Sequence, residues 1–205
     1  MPAHLKLLPP KAEKRTIPRR RPNKELRTRE HLTAAEVERL IAAAKGTREG
    51  HRDATMILLA FRHGLRAAEL VDLRWDQFDF QLGTLFVRRV KNGTPATHPV
   101  SGDELRALRR LRREAAKSPF IFVSMRGAPF TVSGFRRMVE RAALAAGLDS
   151  VKVHPHMLRH ACGYALANRG VDTRTLQAYL GHRNIANTVK YTELSATRFK
   201  GLWKD

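Results

Sequence analysis

His154 to Thr192 reads HPHMLRHACGYALANRGVDTRTLQAYLGHRNIANTVKYT, and the organisation of the 205-residue chain is decided there. A helix begun at Pro155, a good first-turn residue, carries Leu158, Ala161, Cys162, Ala165 and Leu166 at the i, i+3, i+4, i+7, i+8 spacing of a buried face. His156 and Arg159 lie three apart and off that face, so one helix presents an imidazole beside a guanidinium. Gly163, one turn beyond Arg159, leaves room for a ligand backbone to come close. Gly170 ends this helix, and Asp172 or Thr173 caps a short second one through Leu176, Tyr179 and Leu180. Gly181 stops the second helix directly before His182, and a third helical piece leads to Tyr191. Guanidinium groups fork onto phosphate oxygens and imidazoles donate or move protons, so this ordered set points to phosphate chemistry.

Composition agrees. Thirty-nine Lys and Arg against 19 Asp and Glu give a net charge of +20 and a pI near 11.3, which favours a polyanion as partner. The single Cys162 excludes an internal disulfide and sits on the apolar face as a small core residue. No apolar run is long enough to span a bilayer, and the N-terminus lacks the apolar block of a signal peptide, so a cytoplasmic, nucleoid-associated location is expected.

Working outward, residues 1–30 hold ten Lys and Arg against Glu13, Glu25 and Glu30, interrupted by five prolines. They read as a disordered basic arm that lies along DNA phosphates or serves as a solubilising tail. The folded unit, 31–205, opens at Thr33, whose hydroxyl makes a capping box with Glu36 for a helix bearing Val37, Leu40, Ile41 and Ala44. Ala54–Phe61 is almost continuously apolar, as in a central buried helix, and Gly64 terminates it. Arg66 then opens a helix on which Glu69, three residues on, can hold the guanidinium. Between Trp75 and Pro99 the period changes to that of short strands, with Asn92-Gly93 as a hairpin turn and Lys91 at its lip. Ser101 with Glu104, and Thr131 or Ser133, open two further helices. Phe120–Val123 reads as a strand or an extended link. The fold class is therefore mainly α with one small antiparallel sheet.

Arg66, Lys91, His156-x-x-Arg159, His182 and Tyr191 stand in the order and contexts of the tyrosine recombinases, the phage integrase family, over nearly all of residues 33–205. The phrases RHGLR, HPHMLRHACGYALA and YLGHRNI resemble most closely the small fimbrial phase-variation recombinases, which likewise lack a separate N-terminal core-binding domain. The chain departs from the commoner pattern at His63, where a threonine usually precedes the glycine, and in its long arm.

The resemblance implies the tyrosine recombinase catalytic-domain fold and a site-specific recombinase acting on double-stranded DNA, with DNA inversion in phase variation as one outcome. Tyr191 would attack the scissile phosphodiester to give a 3′-phosphotyrosine. His156 would act as general base for a phenol of pKa about 10. Arg66, Arg159 and His182 would hold the non-bridging oxygens, Lys91 would protonate the leaving 5′-oxygen, and Glu69 would support the site from behind. Neither a metal nor another cofactor is implied. Partners would be further copies of the chain, in a tetramer on paired sites, and DNA-bending accessory proteins. The alternatives are a non-enzymatic DNA-binding regulator on the same scaffold, and a type IB topoisomerase that relaxes supercoils as a monomer.

Overall fold

A computed structural model describes residues 29–90, 93–114, 118–148 and 152–193. Helix α1 (Ala34–Lys45) begins at the capping box: Glu36 N donates to the Thr33 hydroxyl at 3.3 Å, and Thr33 N donates to the Glu36 carboxylate at 2.8 Å. Two of the amides orphaned at a helix start are thereby paired. Its buried face, Val37, Leu40 and Ala44, lies on α2 (Gly50–Arg62), the central helix, in which Ala54, Met56, Ile57, Leu59 and Ala60 are all buried. Gly64 turns the chain out of α2 at φ 57°, and a Cβ there would meet the Leu180 side chain at 2.5 Å. The turn therefore needs glycine both for its left-handed backbone and for its packing. Arg66 N-caps the short α3 (Ala67–Val71).

Strands β1 (Phe78–Asp79), β2 (Thr84–Val87) and β3 (Ala96–Pro99) form an antiparallel sheet in the order β1-β2-β3. The β2–β3 register pairs Leu85 with His98 and Val87 with Ala96. The ladder ends at that last pair, so the hairpin connection is longer than the two-residue Asn-Gly turn expected from sequence; Lys91 and Asn92 lie outside the described residues. Phe120 and Val123 make only isolated bridges, to Arg74 and Pro129, so this stretch is an extended link.

Helices α4 (Gly102–Glu114) and α5 (Val132–Ala145) pack on α2 and α1 respectively, and Thr131 caps α5 by accepting from Gly134 N at 3.0 Å. The chain then enters α6 (Pro155–Asn168), α7 (Thr173–Leu180) and α8 (Ala186–Thr192). Asp172 caps α7, and Gly181 closes it in the left-handed conformation, φ 64°. Helix α6 packs on α2, and α7 and α8 close over its other side. It is consequently buried more widely than its apolar stripe suggests. Met157, Arg159, His160 and Gly163 are buried along with Leu158, Ala161 and Cys162, whereas Ala165 and Leu166 are only partly covered.

Leu59, fully buried on α2, tests the central position of that helix. Leu59→Ala is expected to cost about 2–5 kcal/mol, read as a lowered urea midpoint at unchanged m-value.

Candidate active site

The site is assembled around Glu69. Its carboxylate accepts from Arg66 N at 2.9 Å, Arg66 Nη1 at 2.7 Å, Arg89 Nη1 at 2.9 Å and Val90 N at 3.3 Å, and Arg159 Nη1 stands 3.9 Å away. The side chains of Glu69, Arg89 and Arg159 are at most 1% exposed, while that of Arg66 is 27% exposed. Burial works against the ionised carboxyl, but the Arg66 amide and the Arg89 and Arg66 guanidiniums outweigh it and hold its pKa below the usual range. Three guanidiniums thus share one carboxylate, leaving a local excess of positive charge beside the cleft.

Each buried arginine is fixed by backbone carbonyls. Arg159 donates to Gly64 O and, at 2.6 Å, to Leu180 O; Arg89 donates to Tyr179 O. One guanidinium therefore ties the Gly64 turn to the end of α7, and the other ties the end of β2 to α7. Burial, with Arg66 and Arg89 nearby, lowers the Arg159 pKa to about 10, so it stays charged at neutral pH. Behind this layer lies His63, the position that departs from the family pattern. Its Nε2 is 3.1 Å from Glu104, its Nδ1 is 3.2 Å from His98 Nδ1, and His98 stacks on Tyr179 at 3.8 Å. His63 is thus part of the packing that holds the Tyr179 carbonyl for Arg89.

A cleft of about 600 Å³ opens beside Arg66 and is lined also by His182, Arg174, Arg183 and Asn187. The His182 ring is oriented by its Nδ1 contact with the Thr188 hydroxyl, 2.8 Å. Tyr191 lies on α8, 2% exposed, with its ring against α6. A Cβ on Gly163 would stand 2.8 Å from three of its ring carbons, and the Tyr164 ring meets it edge-on at 5.1 Å. The Tyr191 hydroxyl sits 2.8 Å from His160 Nδ1, and His156 packs edge-on against the His160 ring at 4.5 Å. Burial raises the pKa of the Tyr191 phenol well above its usual value, with Arg159 opposing.

Comparison with known proteins identifies the family. The profile of the phage integrase family matches residues 30–198. The chain belongs to the phage integrase family. It is 44% identical over 182 residues to the type 1 fimbriae regulatory protein FimE of Escherichia coli, covering 86% of this chain and 91% of that protein. Identity to tyrosine recombinase XerA of Pyrococcus furiosus is 34% over 176 residues, covering 82% of this chain and 59% of XerA. Among solved structures, a XerA recombinase crystal structure superposes with TM-score 0.71 at 28% identity, over 82% of this chain and 61% of that one. A Tn1549 transposon integrase bound to transposon-end DNA shares the fold, with TM-score 0.70 at 21% identity, over 82% of this chain and 62% of that one. The chain thus spans about three-fifths of these solved integrase-family chains but nearly all of FimE.

Within this integrase-family scaffold, Arg66 and His182 line the cleft and Tyr191 packs on the helix that carries Arg159 and His156. Arg159 is not beside His156 on an open face, as the helical spacing suggested. It is buried at the level of Glu69, while His156 is exposed on the first turn of α6. The room at Gly163 is filled by the Tyr191 ring rather than left for a ligand backbone. Lys91 lies outside the described residues.

Arg89 and His160 were not singled out in the sequence. Arg89 had a signal: Leu85 and Val87 point inward, so alternation along the strand turns Arg89 inward too, where a guanidinium needs a carboxylate. His160 had none beyond its place on α6. Among the described residues no group of His, Cys, Asp and Glu is arranged to hold a metal ion, and no helix is long and apolar enough to cross a membrane.

Four imidazoles around the site titrate well below the ordinary value of 6.5. Burial is the leading cause for each, lowering His98, His160 and His182 to about 3 and His156 to about 4. His156 keeps an exposed surface, and the partial desolvation of its ring is reinforced by the charges of Arg159, His154, Lys190 and Arg66. The folded pKa values lie below the unfolded ones, so unfolding takes up protons and acid favours the unfolded chain. Stability is therefore full above about pH 6.5 and is lost progressively toward pH 3–4. Thermal melts at constant ionic strength should show a lower Tm at pH 5 than at pH 7.5, with the difference shrinking in His98→Phe; equal values would contradict these shifts.

Proposed function

We propose that the chain is a site-specific DNA recombinase that cuts and rejoins double-stranded DNA through a 3′-phosphotyrosine on Tyr191. The observation that carries this reading is the packing of the Tyr191 ring on Gly163 of α6, one turn from Arg159, and its stacking at 6.3 Å on His182, which lines a cationic cleft. A phosphodiester entering the cleft meets Arg66 and His182 at its mouth and the field of buried Arg159 behind them. These are fixed donors and dipoles for the charge that grows on the non-bridging oxygens. The Tyr191 oxygen forms a bond to phosphorus as the bond to the 5′-oxygen breaks, and Lys91 supplies the proton to that leaving oxygen. His156, on the first turn of α6, is the general base read from sequence. Attack by a 5′-hydroxyl of a partner strand reverses the step, so the phosphoester energy is kept and neither ATP nor a metal ion enters the balance.

DNA as substrate is supported by the net charge of +20 and by the DNA-bound state of the Tn1549 integrase. Identity of 44% to a type 1 fimbriae regulatory protein over 91% of its length supports action in the regulation of such surface structures, and the reaction proposed for it is inversion of a segment between paired sites in phase variation. Assembly as a tetramer on those sites, bending of the DNA by accessory proteins, residence at the nucleoid and a phosphate-tracking role for the arm (residues 1–30) complete the proposal.

The burial of Tyr191 and the word "regulatory" in the name of FimE favour a second reading, a DNA-binding regulator that does no chemistry. One substitution separates the two. With duplexes that the chain selects from a random pool, Tyr191→Phe should abolish detergent-resistant protein–DNA adducts while leaving affinity within about tenfold, since one hydroxyl adds little to so basic a surface. Absence of adducts with the unsubstituted protein as well would favour the regulator.

A further inference from the structure

We infer that His160 is a catalytic residue, the group that takes the proton from the Tyr191 hydroxyl as that oxygen attacks phosphorus. The inference rests on the recombinase reading above and replaces His156 as the proton acceptor within it.

A general base must lie within hydrogen-bond reach of the proton it removes. His160 Nδ1 is 2.8 Å from the Tyr191 oxygen. His156 is one step further out, its ring edge-on to that of His160 at 4.5 Å. The pair is held firmly. Tyr191 is clamped between Gly163 and Tyr164, and His160 is 8% exposed on the middle turns of α6, a 14-residue helix anchored on α2. Nucleophile and base therefore sit on packed helices, where orientation is fixed before substrate arrives.

The charge around His160 keeps it ready to accept. His156 and Arg159 face it from its own helix, His154 from the N-cap of that helix, Lys190 and Tyr191 from α8, and His182, Arg66 and Glu30 stand around the same cluster. Burial first, and then His156, Lys190 and Arg159, lower its pKa to about 3 in the DNA-free chain, so the ring is neutral at physiological pH. With its proton on Nε2, the neutral ring leaves Nδ1 as acceptor for the phenol. A phosphodiester anion in the cleft opposes the same positive neighbours and strengthens the base when the substrate is present. The step balances: the Oη–H proton passes to Nδ1, the Oη–P bond forms, the P–O5′ bond breaks, and the 5′-oxygen takes its proton from the general acid. On rejoining, the His160 proton returns to Tyr191.

The test uses full-length protein and a nicked duplex carrying the selected site, with sulfur as the 5′-bridging atom at the position mapped from the unsubstituted protein's adduct. A thiolate leaves without an acid, so the pH dependence that remains in single-turnover cleavage belongs to the acceptor of the phenol proton. With the unsubstituted protein, the rate should fall on the acid side as His160 becomes protonated. His160→Ala and His160→Gln should each cleave about 100-fold slower or worse at unchanged DNA affinity, and both should lose that limb. Added imidazole should restore the alanine variant. His156→Ala, although slowed, should keep the limb.

The glutamine variant preserves a hydrogen-bond acceptor but takes no proton. If it cleaves at the normal rate, His160 only positions Tyr191, and the inference falls. It falls equally if His160→Ala cleaves within about threefold of the unsubstituted protein or faster, or if the limb disappears in His156→Ala instead. A wild-type chain that forms no adduct would sink the recombinase reading and this inference together, whereas adducts with a normal rate in the His160 variants would sink this inference alone.

Discussion

Glu69 is the constraint on which the site depends. A lone guanidinium cannot be buried without a partner, and here two are fully covered and a third is partly so, all turned toward one carboxylate. The carboxylate is itself fixed from the backbone by the amides of Arg66 and Val90. Removing it would leave three cations around an unpaired hole, so the geometry of Arg66 and the stability of the α3–β2–α7 junction have a common origin. The arrangement also keeps more positive charge than it neutralises, an excess that suits a polyanionic ligand and that a self-contained core would not carry.

The second dependence is steric. Tyr191 approaches α6 only because residue 163 has no side chain; a methyl there would come within 2.8 Å of the ring. That one absence sets the seat of α8, and with it the position of the hydroxyl on His160 and the stacking of His182 on the phenol at 6.3 Å. Thr188, fully buried on the same short helix, fixes the His182 ring. A seven-residue helix has little stability of its own, so its place is dictated almost wholly by these contacts.

Local chemistry made most of the fold legible in the sequence. Capping residues marked the starts of α1, α4, α5 and α7, and Gly64, Gly170 and Gly181 marked ends, because those signals act within one helical turn. The faces of α6 were not legible in the same way. Periodicity reports which residues are apolar, not how many elements cover a helix, and α2, α7 and α8 cover more of α6 than one stripe. Hence Arg159 and His160 are core residues despite their polarity. The hairpin misled for a related reason: Asn-Gly favours a tight turn locally, but the inward turn of Arg89 to Glu69 ends the ladder at Val87, before that turn is reached.

Those two departures are connected. Arg89 ends the sheet where it does because its guanidinium bridges Glu69 and the Tyr179 carbonyl, and Arg159 reaches the next carbonyl along, that of Leu180. The end of α7 is thus held by two cations on successive carbonyls, where the partial negative charge of a helix C-terminus lies. His182 follows two residues after Leu180. Its position at the cleft is therefore set by the same buried charges that hold Arg66, through backbone rather than through side-chain contact. Arg66, at the cleft, is likewise held from behind by Glu69, so this cation is oriented before an anion enters.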